Sequence, residues 1–573
     1  MSGGPRLAGG DFLRFVPALT LVLFLAPVAA GLVGTWLPAF GYLPVLGGER
    51  FTLAPWIHLL AQPGLGESLR LTLLSGLLST LVTFALVVLL LAACHGGRLL
   101  MALHSAMAPL IAVPHAAVAL GLAFLIAPSG WLVRLVSPWA TGWNLPPDVA
   151  TVQDPNALAL ILGLVVKELP FLLLATLAAL GQVRADERLA VARSLGYGPV
   201  TAWVKAVLPA VYPQIRLPVY AVLAYALSVV DMALILGPLT PPTLAVQVLR
   251  WFNDPDLSLR FTAAAGASLQ LLVVAGGIAL WRLGEIVAGR LGRGWIAGGA
   301  RGGNARFLRA AAAGPVLLLV TLAVLGLVAL ALWSVTRRWR YPDALPSAFA
   351  LETWARQAPE AGAVAGTTLA VGLIAAGIAL VLALACLENE QRRGLTLGSR
   401  ALWLLYTPLL VPQVAFLFGA QVLAIQTRID ATWLAVVWSH LLFVVPYVFL
   451  TLGDPYRALD ARYARAALCL GARPARVFWQ VKLPMLLQPV LLAAAVGFAV
   501  SVTQYLPTLF AGGGRFATLT TEAVGLATGG DRRVVAVYAF LQALLPLVAF
   551  VGALTLPHLL LRPRHPALDR APA

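Results

Sequence analysis

Arg188-Leu-Ala-Val-Ala-Arg-Ser-Leu-Gly196, running on to Leu208-Pro209, lies in a basic loop between two membrane-length apolar stretches. The chain repeats it as Arg462-Tyr-Ala-Arg-Ala-Ala-Leu-Cys-Leu-Gly471, running on to Leu483-Pro484. Gly196 and Pro209 stand 13 positions apart, and so do Gly471 and Pro484. Apolar segments repeat easily by chance. A small-residue segment, a glycine stop and a Leu-Pro restart in two polar loops do not, so the spacing predicts a duplicated chain.

Working outward, 60% of the 573 residues are apolar and 11% are charged. With a mean hydropathy of +0.88, this excludes a water-soluble domain of such size. Twelve apolar stretches reach the roughly 20 residues that a helix needs to cross a bilayer. They fall near 13–37, 69–93, 100–127, 157–181, 214–238 and 263–287, then near 308–334, 366–387, 401–426, 432–453, 486–510 and 535–561. Beta-barrel strands would alternate apolar and polar residues over about ten positions, and these runs do not. The fold class is therefore an all-α polytopic membrane bundle. The first run is too long for a cleaved signal and is followed by a second span.

Residues 1–287 and 308–573 are expected to form two homologous halves of six spans each. Between them, the Gly- and Arg-rich stretch 288–307 reads as a cytoplasmic linker. Placing both termini in the cytoplasm puts about two-thirds of the 40 lysines and arginines on that side. Arg337, Arg338 and Arg340 oppose this locally, but the linker cluster before the same span is stronger. The net charge of +17 reads as membrane orientation, with no basic face left for nucleic acid. Cys94, Cys386 and Cys469 all fall at cytoplasmic ends or loops, where reduced thiols are expected.

Each repeated segment, in loops 182–213 and 455–485, reads as a short helix with marked ends. Asp186 and Asp460 are suitable N-caps, and Gly196 and Gly471 stand where a left-handed residue would close the helix. Such a short helix is marginal in water and needs outside support. Ala190, Ala192, Ala464, Ala466 and Ala467 permit close approach, while Leu195 and Leu470 offer apolar knobs. A single copy could simply rest on lipid headgroups. Two copies at equivalent places point instead to docking helices for a partner with two matching sites.

Both loops resemble the EAA motif of permease subunits in ATP-binding-cassette importers. Ala190-Val191-Ala192, Gly196, Ala206 and Leu208-Pro209 align with it in the first copy; Arg465-Ala466-Ala467, Gly471, Val481 and Leu483-Pro484 align in the second. The flanks agree: Pro170-Phe171 and Pro446-Tyr447 precede the loops, and Val113-Pro114 matches Val411-Pro412 one span earlier. The chain looks most like the fused two-half permeases of the iron(III) and thiamine importer group, closest to a thiamine-type inner-membrane permease family. Neither copy keeps the motif glutamate, since Ala190 and Arg465 occupy its place. The resemblance implies a type I importer permease of the bacterial inner membrane. It implies two ATPase subunits docked at these helices, ATP and Mg on those subunits, and a separate solute-binding protein. The three lysines, Lys167, Lys205 and Lys482, are followed by Glu, Ala and Leu, so no P-loop Lys-Ser/Thr pair exists here. The chain is expected to be no enzyme and to hold no cofactor.

Ionisable groups within spans are functional candidates. Lys167 and Glu168 are adjacent in the fourth span, either paired with other helices or facing the pathway. Asp231 and Gln504 lie at matching positions past the two motif glycines, so a pathway-facing site competes with capping or packing. The seven histidines show no metal-ligand spacing. A secondary transporter of twelve spans is the alternative, but it has no use for paired docking helices. An intramembrane enzyme would need clustered His, Ser or acidic residues.

Overall fold

The computed structural model describes residues 11–302, 306–395 and 398–560. Among these, ten helices are long and apolar enough to cross a bilayer, and twelve spans result when two sharply bent pairs each count as one. In chain order the first six are Val16–Ala39, Leu65–Cys94, His115–Val136, Leu158–Gln182, Pro199–Ser228 and Leu259–Ala297. The next six are Ala310–Ser334, Glu352–Arg393, the pair Trp403–Leu410 and Gln413–Gln426, Trp433–Ala458, the pair Pro474–Met485 and Leu487–Val502, and Arg532–Leu560. Helices dominate because lipid offers backbone groups no hydrogen-bond partner, so each segment must satisfy its own. Outside them, Thr336–Arg338 pairs antiparallel with Ala348–Phe349 in the loop after the seventh span.

Two glycine contacts clasp the bundle. The first span packs on the ninth, where a Cβ on Gly419 would stand 2.0 Å from the Gly31 carbonyl oxygen. The seventh packs on the third, where a Cβ on Gly121 would stand 2.8 Å from the backbone of Gly326. Apolar burial cannot drive helices together inside lipid, so close backbone packing at small residues supplies the attraction.

The eighth span, expected at 366–387, is the longer helix Glu352–Arg393, and three further differences bear on the site. The stretch 100–127 is not one helix: Arg98–Ala112 stops at Val113-Pro114, and His115–Ile126 follows. Val411-Pro412 does the same in the ninth span, with a bend of 91°. Proline bars the residue before it from helical geometry and lacks an N–H for the ladder. Secondly, the fifth and eleventh spans end at Ser228 and Val502, short of 238 and 510, and short helices Asp231–Leu236 and Leu506–Gly512 follow. Thirdly, residues 288–297 are helical, continuing the sixth span rather than opening a linker. Hydropathy registers neither of the first two breaks, because apolar residues stand on both sides of each.

Candidate docking loops and intramembrane cavity

The two repeated loops share one backbone path. Helices Ala185–Ser194 and Ala461–Cys469 end at Gly196 and Gly471, with φ of +82° and +84°. The Tyr197 N–H reaches the Ala192 carbonyl at 3.2 Å, and the Ala472 N–H reaches that of Ala467 at 3.0 Å. Each bond spans five residues, as in a Schellman closure, which needs a left-handed residue at the glycine. Two residues on, Gly198 and Arg473 are extended, and Pro199 and Pro474 restart the chain. Single π-turns follow at Trp203–Val207 and Phe478–Lys482. They deliver the chain to Leu208-Pro209 and Leu483-Pro484, where a wider turn accommodates a proline that has no N–H to give.

The caps differ. Asp460 accepts the Arg462 N–H at 2.9 Å. That bond, and then the Arg462 guanidinium, hold its carboxyl below the usual range. Asp186 is not a cap: the helix starts at Ala185 behind a left-handed Arg184, and Asp186 Oδ1 lies 2.8 Å from His95 Nε2 instead. The first helix buries Ala185, Leu189 and Ala192, whereas the second buries nothing. Ala190, Arg465, Ala466 and Pro209 are exposed; Ala467 and Pro484 are half-buried. Leu195 and Leu470 project, the latter 89% exposed.

Each loop is fastened by a lysine that the sequence reading left without a role. Lys205 Nζ donates to the carbonyls of Trp295 and Ala300 at 3.0 and 2.9 Å, and the Gly198 N–H donates to the Arg301 carbonyl at 2.8 Å. Lys482 Nζ lies 2.7 Å from Glu388 Oε2 and 2.6 Å from Gln391 Oε1. A signal was available: two of only three lysines in the chain fall in these loops.

At mid-bundle a cavity of about 350 Å³ is lined by Lys167, Glu168, Asp231 and Gln504 together, with His115, Tyr225, Tyr447 and Tyr505. All four sequence candidates are at least nine-tenths buried. Lys167 donates to the carbonyls of Val113, Ile111 and Leu110, at 2.6, 3.0 and 3.4 Å. The Leu110 carbonyl also accepts the Val113 N–H at 3.3 Å, while Ile111 and Val113 lie where Pro114 interrupts the helix, so the ammonium closes a helix end. Glu168 Oε1 lies 3.6 Å from His115 Nε2. The Tyr225 hydroxyl stands 3.5 Å from Asp231 Oδ1. Gln504 donates its amide to the Val500 carbonyl at 3.0 Å, and its Oε1 is buried without a partner. Elsewhere the buried His440 is bonded through both ring nitrogens, to Ser501 and Thr508. Among the described residues no three His, Cys, Asp or Glu side chains gather as a metal site would require.

The family described as binding-protein-dependent transport system inner membrane component matches residues 368–557. The inner membrane ABC transporter permease protein YnjC of Escherichia coli (strain K12) is 34% identical over 519 residues, covering 89% of this chain and 93% of its own. The chain belongs to this family of ABC transporter permeases. The permease is also similar to the molybdenum transport system permease protein ModB of Mycobacterium tuberculosis (strain ATCC 25618 / H37Rv), 34% identical over 27% of this chain and 59% of that one. The putrescine transport system permease protein PotI of Escherichia coli (strain K12) is 29% identical over 27% of this chain and 57% of that one. This permease is a multi-pass inner-membrane component of a binding-protein-dependent ABC import system, a class that works with an ATPase and a binding protein.

Proposed function

We propose that the permease carries its solute through the cavity between the fourth, fifth, tenth and eleventh spans. Helices Ala185–Ser194 and Ala461–Cys469 dock one ATPase subunit each, with ATP and Mg held by those subunits. The observation that carries this reading is the shared path of the two loops, from left-handed glycine through extended residue and proline to π-turn. A short exposed helix has little stability of its own. A partner groove that accepts one such loop accepts the other. The missing motif glutamate leaves docking to helix shape, to the projecting Leu195 and Leu470, and to unlike charge at Ala190 and Arg465.

Both termini and both loops then lie in the cytoplasm, and a separate binding protein delivers solute at the opposite face. The Val-Pro pairs and the Pro-aromatic pairs before each loop support placement with the two-half importers for iron(III) and thiamine. A secondary transporter would leave two docking loops without a purpose. The test uses Cys469, which is exposed on the second docking helix. A photo-crosslinker attached there through maleimide should capture an ABC ATPase in membranes where the whole importer is expressed. Efficient labelling with no ATPase captured would refute the docking reading.

A further inference from the structure

The sixth-span helix, Leu259–Ala297, has 39 residues and is about 58 Å long, against roughly 30 Å for the hydrocarbon core of a bilayer. Its last turns therefore project beyond the membrane, where Trp295 meets the first docking loop through Lys205. Past Ala297 the chain runs through Gly299 and Gly302, left-handed at φ of +66° and +71°, and stays on that loop. The Ala300 and Arg301 carbonyls accept Lys205 Nζ and the Gly198 N–H. Lys205 Nζ also lies 4.4 Å from the centre of the Trp295 ring. At Gly302 the approach is closest, since a Cβ there would stand 2.0 Å from Thr201 Oγ1. Residues 295–302 thus form a strap bound to the first loop.

The strap borders a groove of about 770 Å³. Glu187, Val191 and Leu195 line it from the docking helix, and Ile296 lines it from the strap. Val191, Leu195 and Ile296 are 62%, 59% and 40% exposed, so the apolar lining is open. Apolar side chains gathered around one groove stay wetted until a partner covers them.

Resting on the docking reading, we infer that the ATPase subunit at the first site seats an apolar side chain in this groove, between Val191, Leu195 and Ile296. The groove is continuous with the open face of the docking helix, because Val191 and Leu195 belong to both. A subunit bound to that helix therefore meets the strap as well. The second loop is fastened differently, with Lys482 on Glu388 and Gln391 of the eighth-span helix. The two docking sites are accordingly unequal, and the strap is part of the first.

The experiment uses the full-length permease in lipid nanodiscs with the ATPase subunit of the importer. A photo-crosslinker is attached through maleimide to Ile296→Cys in a Cys469→Ser background, and that background alone serves as the blank. It should capture the ATPase, as the same reagent on Cys469 should. A cross-linker on Ala190→Cys, an exposed position outside the groove, reads the first site during ATPase titration. One on Cys469 reads the second. Ile296→Asn should raise the half-saturating ATPase concentration about tenfold at the first site and leave the second unchanged. Lys205→Met frees the strap and should lower capture at position 296 relative to position 190. Suppose Cys469 captures the ATPase while position 296, fully labelled, captures lipid or nothing. That result, or an equal or absent shift at the two sites with Ile296→Asn, overturns the inference and leaves the docking reading standing. No capture at Cys469 either would sink both.

Discussion

Lys482 and Glu388 lie 94 positions apart and meet at 2.7 Å, joining the second repeated loop to the C-terminal end of the eighth span. Both side chains are buried, at 7% and 5% exposure, and Glu388 also receives the Tyr456 hydroxyl and the Arg392 guanidinium. The first loop has no such carboxylate. Its Lys205 holds one backbone carbonyl in the last turn of the sixth-span helix, at Trp295, and one just after it, at Ala300.

Removing one partner of a buried pair strands the other, at about 3 kcal/mol or more. Lys482→Met should therefore lower the melting temperature of the purified permease clearly. Combining it with Glu388→Gln should recover part of that loss, because the buried carboxylate is gone and the Arg392 guanidinium it leaves behind is 28% exposed. A double variant as unstable as the sum of the singles would show that the two residues act independently.

The glycines closing the two docking helices are the sharpest functional test. A Cβ at Gly471 meets nothing within 4 Å, so the penalty of valine there is chiefly backbone strain, about 1 kcal/mol or more. At Gly196 a new Cβ would touch the Arg301 side chain at an ordinary contact distance of 3.5 Å, so backbone strain dominates there too. Gly471→Val and Gly196→Val should reach the membrane at near-normal level yet lose ATPase co-purification or uncouple hydrolysis from uptake. Normal transport by the double variant would end the docking proposal.

Cysteine labelling tests orientation. Cys469 is exposed, Cys386 half-buried and Cys94 buried. A membrane-impermeant maleimide should modify Cys469 in inside-out vesicles and spare it in intact cells. The reverse pattern would invert the topology.

Lys167 should behave as a helix closure rather than as a solute contact. Lys167→Met leaves carbonyls of the Pro114 break unpaired, a loss of about 1–3 kcal/mol. Uptake should then fall in proportion to folded protein, with the transport KM unchanged. A KM shift at equal protein level would move Lys167 into the pathway.

Twelve apolar runs announced the helical bundle, since no soluble core of this size could absorb them. The Val113-Pro114 and Val411-Pro412 pairs were visible too, but the sharp turn in the ninth span was not, because apolar residues continue on both sides. Gly196 and Gly471 were readable because positive φ restricts residue choice so strongly. Asp186 misled: an acidic residue before a helix is a common cap, yet His95, 91 positions away, takes it in three dimensions. The fate of Lys167 was hidden for the same reason, since its three carbonyls lie 54 to 57 positions earlier. That Asp231 and Gln504 border one cavity follows from packing, which matching positions in the chain only hint at.

The two glycine crossings have a consequence for how the molecule is assembled. The first span lies against the ninth at Gly419, and the seventh lies against the third at Gly121, so residues on each side of the 298–305 connection grip the other side. Severing the chain there would release no fragment. Two co-expressed polypeptides should find each other in the bilayer and rebuild the bundle, which makes the covalent tether a guarantee of equal dosage rather than a source of cohesion.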